Sequence, residues 1–161
     1  EMCIRDSMSI PEIKEPSNSP LGDEQNMLDG FKKTILMVAG SAVQKLMQTL
    51  AKEQEVLMNI ADVAIWTYLA ESVYLRVQKK IDSQGEAACE HDIAIAKTYF
   101  YDTADKIAKA AKDAIQSFAE GDEARMMLMG LKRFTKTQAF NPKAARQTIA
   151  QKLIADGKYD F

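Results

Sequence analysis

The run Cys89, Glu90, His91 and Asp92 puts four potential metal ligands side by side. Consecutive helical residues point about 100° apart, so four in a row cannot converge on one ion, and no metal site is assigned to them. His91 is the only histidine in the chain. That count excludes a two-histidine zinc motif and the paired Glu-x-x-His ligands of di-iron helical bundles. Four carboxylates, Glu53, Glu55, Asp62 and Glu71, lie in or beside the most apolar stretch of the chain, EQEVLMNIADVAIWTYLAESVYLR. Without an acid-base partner they are read structurally. Glu53 and Glu55 sit where a helix start favours acids, and Asp62 and Glu71 are expected to bond across to neighbouring helices. Catalytic, cofactor-binding and metal residues are each expected to number none.

The seven glycines are scattered, with neither a GxGxxG fingerprint nor a phosphate loop ending in Gly-Lys-Ser/Thr, so self-contained nucleotide binding is not indicated. Met126, Met127 and Met129 crowd into MMLMGLKRF. Such runs can form adaptable docking grooves, but core or interface packing is the preferred reading. From Lys132 to Lys152 the chain is locally basic. A solvated helix face explains this most simply, and a docking patch for an acidic partner, anionic lipid or carrier phosphates is the alternative.

The elements that must carry these residues read as helices. Leu28, Phe31, Ile35, Val38, Ala42, Leu46 and Leu50 recur at three and four residues, the stripe of an amphipathic helix beginning at Asp23. Gly30 and Gly40 interrupt it at sites of close packing or bending. From about Lys52 to Lys80 apolar residues cover most of a helix circumference, which predicts a helix buried among others, with Trp66 largely buried. DSQG ends it at Gly85. Ile93, Ala96, Phe100, Ala104, Ile107, Ala111, Ala114 and Phe118 mark a third helix. A fourth is expected after an Asp122 cap, carrying Ala124, Met127, Leu128, Leu131 and Phe134. Asn141 as N-cap and Pro142 at the first position open a fifth, which Gly157 closes. No alternating strand pattern is present. The expected fold is all-α: an antiparallel bundle of about five helices preceded by an extended Pro-rich linker.

Length and composition set the frame. A chain of 161 residues and 18.0 kDa suits one domain with its own core. Net charge of -2 and a pI near 5.5 argue against nucleic acid as a partner. Two distant cysteines, Cys3 and Cys89, suggest neither disulfide nor zinc and fit a reducing compartment. Charge-free stretches are shorter than the ~20 residues of a membrane span and no signal peptide is visible, so a cytoplasmic location is expected. Residues 1–7, EMCIRDS, resemble a translated adapter remnant and are set apart as non-native, so the native chain is expected to continue upstream. Residues 8–22 are read as linker and 23–161 as the helical domain of a longer enzyme.

Four segments go further: KEQEVLMNIADVAIWTYLAES, DIAIAKTYFYDTADKI, FAEGDEARMMLMGLKRFTK and ARQTIAQKLIADGKYDF. Together they resemble the C-terminal part of long-form acyl-CoA dehydrogenases, of the very-long-chain branch, over about Pro11 to Phe161. The resemblance implies a parent flavoenzyme that dehydrogenates acyl-CoA thioesters at the α and β carbons, with FAD accepting hydride and a glutamate as base. None of those segments has a counterpart here, so Glu53, Asp62 and Glu71 inherit no catalytic role. No FAD is expected on this fragment, which alone is expected to be inactive. What the resemblance implies for this piece is structural: packing against the upstream dehydrogenase core of the same chain and helping to set a homodimer. Peripheral membrane contact through MLDGFKKTILMVAGSAVQKLMQTL is a secondary idea, since a core-facing helix explains the same pattern. The competing expectation is a free-standing helical module that binds a partner protein or a membrane surface through the Met-rich or basic segments.

Overall fold

The computed structural model describes residues 19–158, so the adapter-like residues 1–7 and residues 8–18 of the expected linker 8–22 lie outside the described residues, while Leu21 is wholly buried and Gly22 already opens the first helix. Five α-helices follow in order: α1 (Gly22–Leu46), α2 (Gln54–Gln84), α3 (Glu90–Phe118), α4 (Gly121–Phe134) and α5 (Pro142–Asp156). Short 3-10 turns at Met47–Lys52 and Glu86–Cys89 join the first three, and no strand occurs among the described residues. The all-α expectation is met.

Cross-helix pairs fix the directions. Lys32 on α1 bonds Glu71 on α2 at 2.6 Å, and Lys80 near the end of α2 bonds Asp92 at the start of α3 at 2.7 Å. Lys45 at the end of α1 reaches Glu123 at the start of α4, while Gly30 lies against Phe134 at the other end of α4. α5 returns along α3, tied by Arg146 to Asp102 at 2.7 Å and by Tyr101 against Phe140. The pairs α1–α2, α2–α3, α1–α4 and α3–α5 are therefore antiparallel, while α1 and α3, joined by Phe31 and Phe100, run parallel.

The core is the convergence of the stripes. Phe31 and Phe100 stack with centroids 6.0 Å apart, and Val38, Ala42, Val63, Ala104, Ile107, Ala111, Leu131 and Phe134 close around them. Of the three buried threonines, Thr34 donates to the Gly30 carbonyl at 3.0 Å and Thr67 to that of Val63 at 2.7 Å, while the Thr103 hydroxyl has no hydrogen-bond partner among the described residues. Gly30 is a close-packing site, because a Cβ there would stand 2.2 Å from the Phe134 carbonyl oxygen. Gly40 faces open space and marks no contact.

The helix ends mostly fall where the sequence places them. Asn141 Oδ1 accepts the Ala144 N–H at 3.1 Å, Pro142 opens α5, and Gly157 closes it in the left-handed region at φ 63°. Gly85 ends α2 at φ 84°, another conformation that a side chain disfavours. Asp122 is a correction: the N-cap of α4 is the extended Glu120, and Asp122 lies inside the first turn, where its charge still favours the helix start.

Candidate docking face on the second helix

α2 is 31 residues long and has two faces of different character. Its inward positions, Val56, Val63, Thr67, Ala70 and Val77, are small and buried against α1 and α3. Its outward positions are large: Met58, Ile65, Tyr68 and Leu75 are 67%, 53%, 69% and 58% exposed, and Leu57 and Leu69 more than a third. The expectation of a helix buried all round is thus corrected. Trp66 is partly buried on the α3 side, packed against the core, with the Lys106 ammonium 4.0 Å above its ring.

The apolar surface extends onto α1. Leu36 lies one turn beyond Lys32, on the flank that meets α2 at the Lys32–Glu71 pair, and Val43 lies two turns further along the same flank. Both are more than half exposed, as is Met47 beyond them. Contiguous apolar surface over two helices is what an interface needs and a lone monomer avoids. By length and composition α2 could also cross a membrane. Its inner face and Glu71, however, are already engaged with neighbouring helices.

The carboxylates separate accordingly. Glu71 bonds across to α1 as expected, whereas Asp62 is exposed and bonds to no neighbouring helix among the described residues. Glu53 is the exposed N-cap of α2 and Glu55 lies in its first turn. In the CEHD run Cys89 is buried, Asp92 is held by Lys80, and no cluster able to hold a metal occurs among the described residues. The methionine run splits, with Met127 in the core and Met126 and Met129 exposed on the outside of α4. The basic end does not form one free patch, since Arg146 is tied to Asp102 and Lys152 to Asp156.

One residue escaped the reading of the sequence. Glu24, in the first turn of α1, is 6% exposed and its Oε2 has no hydrogen-bond partner among the described residues. Burial pushes its carboxyl above the ordinary value of 4.5, against partial relief from its own backbone N–H and from Lys97, with Asp23 adding to the rise. It lines a small cleft with Asp23, Met27, Lys97, Tyr101 and the segment from Thr137 to Phe140. The signal was spacing: Glu24 stands four residues before Leu28 and seven before Phe31, on the inward stripe of α1.

Residues 30–133, more than half of the chain, match the family model for the acyl-CoA dehydrogenase C-terminal domain. A probable acyl-CoA dehydrogenase of Bacillus subtilis (strain 168) is 31% identical over 152 residues, covering 94% of this chain and 25% of the relative. The crystal structure of an acyl-CoA dehydrogenase complexed with FAD from Bacillus anthracis matches with a TM-score of 0.93 at 31% identity, over 99% of this chain and 27% of that one. This chain spans about a quarter of the length of these relatives. On the family match and the bundle that embodies it, the chain belongs to the acyl-CoA dehydrogenase C-terminal domain family.

Proposed function

We propose that this chain is the structural, dimer-setting C-terminal domain of a cytoplasmic, FAD-dependent acyl-CoA dehydrogenase of the very-long-chain type. The catalytic core would lie upstream in the same polypeptide, joined through residues 8–22, with 23–161 forming the domain. The observation that carries this is the uncovered apolar surface of α1 and α2 on a chain about a quarter as long as its relatives. A bundle that already owns a packed core does not otherwise leave Leu36, Val43, Tyr68 and Leu75 in water. The α1–α2 seam formed by these four is the seat we assign to the dehydrogenase core.

The flavin belongs to that core. The cleft at Glu24 measures about 70 Å³, room for roughly two water molecules, against the ~300–1,000 Å³ typical of ligand pockets. Asp23 and Glu24 would also repel a pyrophosphate. These residues do not fit FAD, and no step of flavin chemistry is assigned to this chain. A membrane-surface module is the weaker reading, because the exposed acids of α2, Glu55 and Asp62, match its exposed bases, Arg76 and Lys79, in number, leaving no basic excess to draw anionic lipid.

Expressing the complete gene beside this chain tests the proposal. The whole protein is expected to show flavin absorbance and to oxidise acyl-CoA with an artificial electron acceptor, and this chain to do neither. A complete reading frame without a flavin-binding dehydrogenase core, or stoichiometric FAD on this chain alone, would overturn it.

A further inference from the structure

Two residues on the outer side of α1 run against what the bundle favours by itself. Gly40 lies in the interior of α1, well before its end at Leu46. Its backbone is ordinary helix, and a Cβ there would meet nothing within 4 Å, so neither conformation nor packing inside the bundle asks for glycine. Alanine would give a more stable helix. Met47 is the reverse case. At φ 45° and ψ -115° it is the one residue other than glycine with positive φ among the described residues, in a region open to glycine and strained for a side chain. The side chain gains no burial in return, being 73% exposed. Glycine thus stands where the bundle favours a side chain, and a side chain stands where it favours glycine.

Both residues lie on one strip. Leu36, Gly40, Val43 and Met47 follow at intervals of four, three and four residues, the spacing by which a helix meets another surface, and all four are exposed. A glycine between two large apolar residues lets a foreign backbone come close. Gly30 shows the same use inside this chain, where the Phe134 carbonyl oxygen of α4 would stand 2.2 Å from a Cβ. A flexible thioether such as that of Met47 suits an irregular socket on another surface.

We infer that the upstream dehydrogenase core seats on α1 along this strip, with core backbone closing on Gly40 as α4 closes on Gly30, and with a socket of the core receiving Met47. This rests on the reading of the chain as one domain of an acyl-CoA dehydrogenase and names the residues that set the α1 half of the seam. The core is the occupant because the matched bundles make up only 25% and 27% of the relatives' chains, so most of each relative lies outside the bundle and is available to cover it.

Oxidation by dilute hydrogen peroxide, mapped on peptides by mass, tests this on the whole protein and on this chain, with N-acetylmethionine in each mixture as the rate standard. Met47 should react as an exposed thioether in this chain and about tenfold or more slowly in the whole protein. Gly40→Leu should leave this chain folded, since the new side chain meets nothing there, and should raise the Met47 rate in the whole protein about fivefold or more by holding the core off. Met47 equally reactive in both proteins, or equally protected in the whole protein with and without Gly40→Leu, overturns the inference. Protection that grows with protein concentration also overturns it, because a second copy would then be the occupant. If circular dichroism shows Gly40→Leu to be unfolded in the whole protein, Gly40→Ala decides instead: it should raise the unfolding temperature of this chain yet speed Met47 oxidation in the whole protein, and unchanged protection overturns the seat. A whole protein that binds FAD and oxidises acyl-CoA while its Met47 stays fully reactive would sink this inference and leave the proposed function standing.

Discussion

Replacing Gly30 and Gly40 by alanine applies one chemical change to two sites of the same helix and should move stability in opposite directions. Each substitution gains roughly 1 kcal/mol of helix propensity, because alanine loses less backbone freedom than glycine. At Gly40 nothing stands within 4 Å of the new methyl, so the gain is kept. At Gly30 the methyl would sit 2.2 Å from the Phe134 carbonyl oxygen and 3.1 Å from its carbonyl carbon. These are backbone atoms, which no rotamer change can move aside, so α4 must retreat by roughly 1 Å from its seat on α1. Overpacking of this kind costs about 1–3 kcal/mol or more, and retreat also loosens Phe134 and Leu131 in the core. The net expectation is Gly30→Ala destabilised by about 1–2 kcal/mol and Gly40→Ala stabilised by up to about 1. For a domain of this size the two midpoints should differ by roughly 5–10 °C in thermal unfolding followed by circular dichroism. Gly30→Ala unfolding at or above the wild-type temperature would refute the close approach of α1 and α4.

Glu24→Gln should stabilise the fold at neutral pH by about 1 kcal/mol, because it removes a buried carboxylate whose Oε2 lacks a partner. The sign follows from the raised carboxyl: stability from its neutral form is complete below the ordinary value of 4.5 and is lost as pH rises through the folded value. The two proteins should therefore converge in acid, and denaturant midpoints that differ equally at all pH values would contradict the assignment. Leu69→Ala and Ala70→Leu test the two faces of α2 with adjacent residues. The first should leave the monomer's unfolding temperature nearly unchanged while lowering apolar dye binding, and the second should cost about 1–3 kcal/mol, since Ala70 is wholly buried. Equal effects would show that α2 is not two-faced. Asn141→Ala removes the 3.1 Å cap bond and should weaken α5 by about 1 kcal/mol. Because α5 has no fully buried residue, faster amide exchange should be confined to residues 142–156, and exchange that quickened equally in α1–α4 would show α5 to be integral to the core.

Much of the fold was legible because stripes and caps are local signals. Phe31 and Val38 on α1, and Phe100, Ala104, Ile107 and Ala111 on α3, were placed by spacing alone and all are buried. Asn141, Pro142 and Gly157 declared both ends of α5 by their own chemistry. The Asp122 cap was misplaced by two residues because the chain at Glu120 is held extended between α3 and α4, and that geometry belongs to the connection, not to one residue. Asp62 and Glu71 looked alike in sequence, yet only Glu71 points to a neighbour with a lysine in reach. Which of two carboxylates finds a partner depends on the crossing of α1 over α2, which periodicity does not encode. Glu24 was hidden for the opposite reason: acids in a first turn are so readily explained by the helix start that its inward position went unremarked.

The misjudgement of α2 concerns size, not hydrophobicity. Counting apolar residues around the helix gave a nearly continuous belt, and a belt implies burial on all sides if every apolar residue counts equally. Sorted by volume, the same residues divide. Valine, threonine and alanine occupy the side toward α1 and α3, where small side chains let the helices approach closely. Of the large residues, Met58, Ile65, Tyr68 and Leu75 occupy the side toward water, while Ile60, Trp66, Tyr74 and Ile81 flank the inner face, partly buried against the core. If the large residues had been meant for this bundle's own core, they would have held α2 away from α3 and left the alanine-rich stripe of Ala104, Ala111 and Ala114 facing voids. The small face is therefore complete as it stands, and the large face is built for a surface that is not one of the five helices.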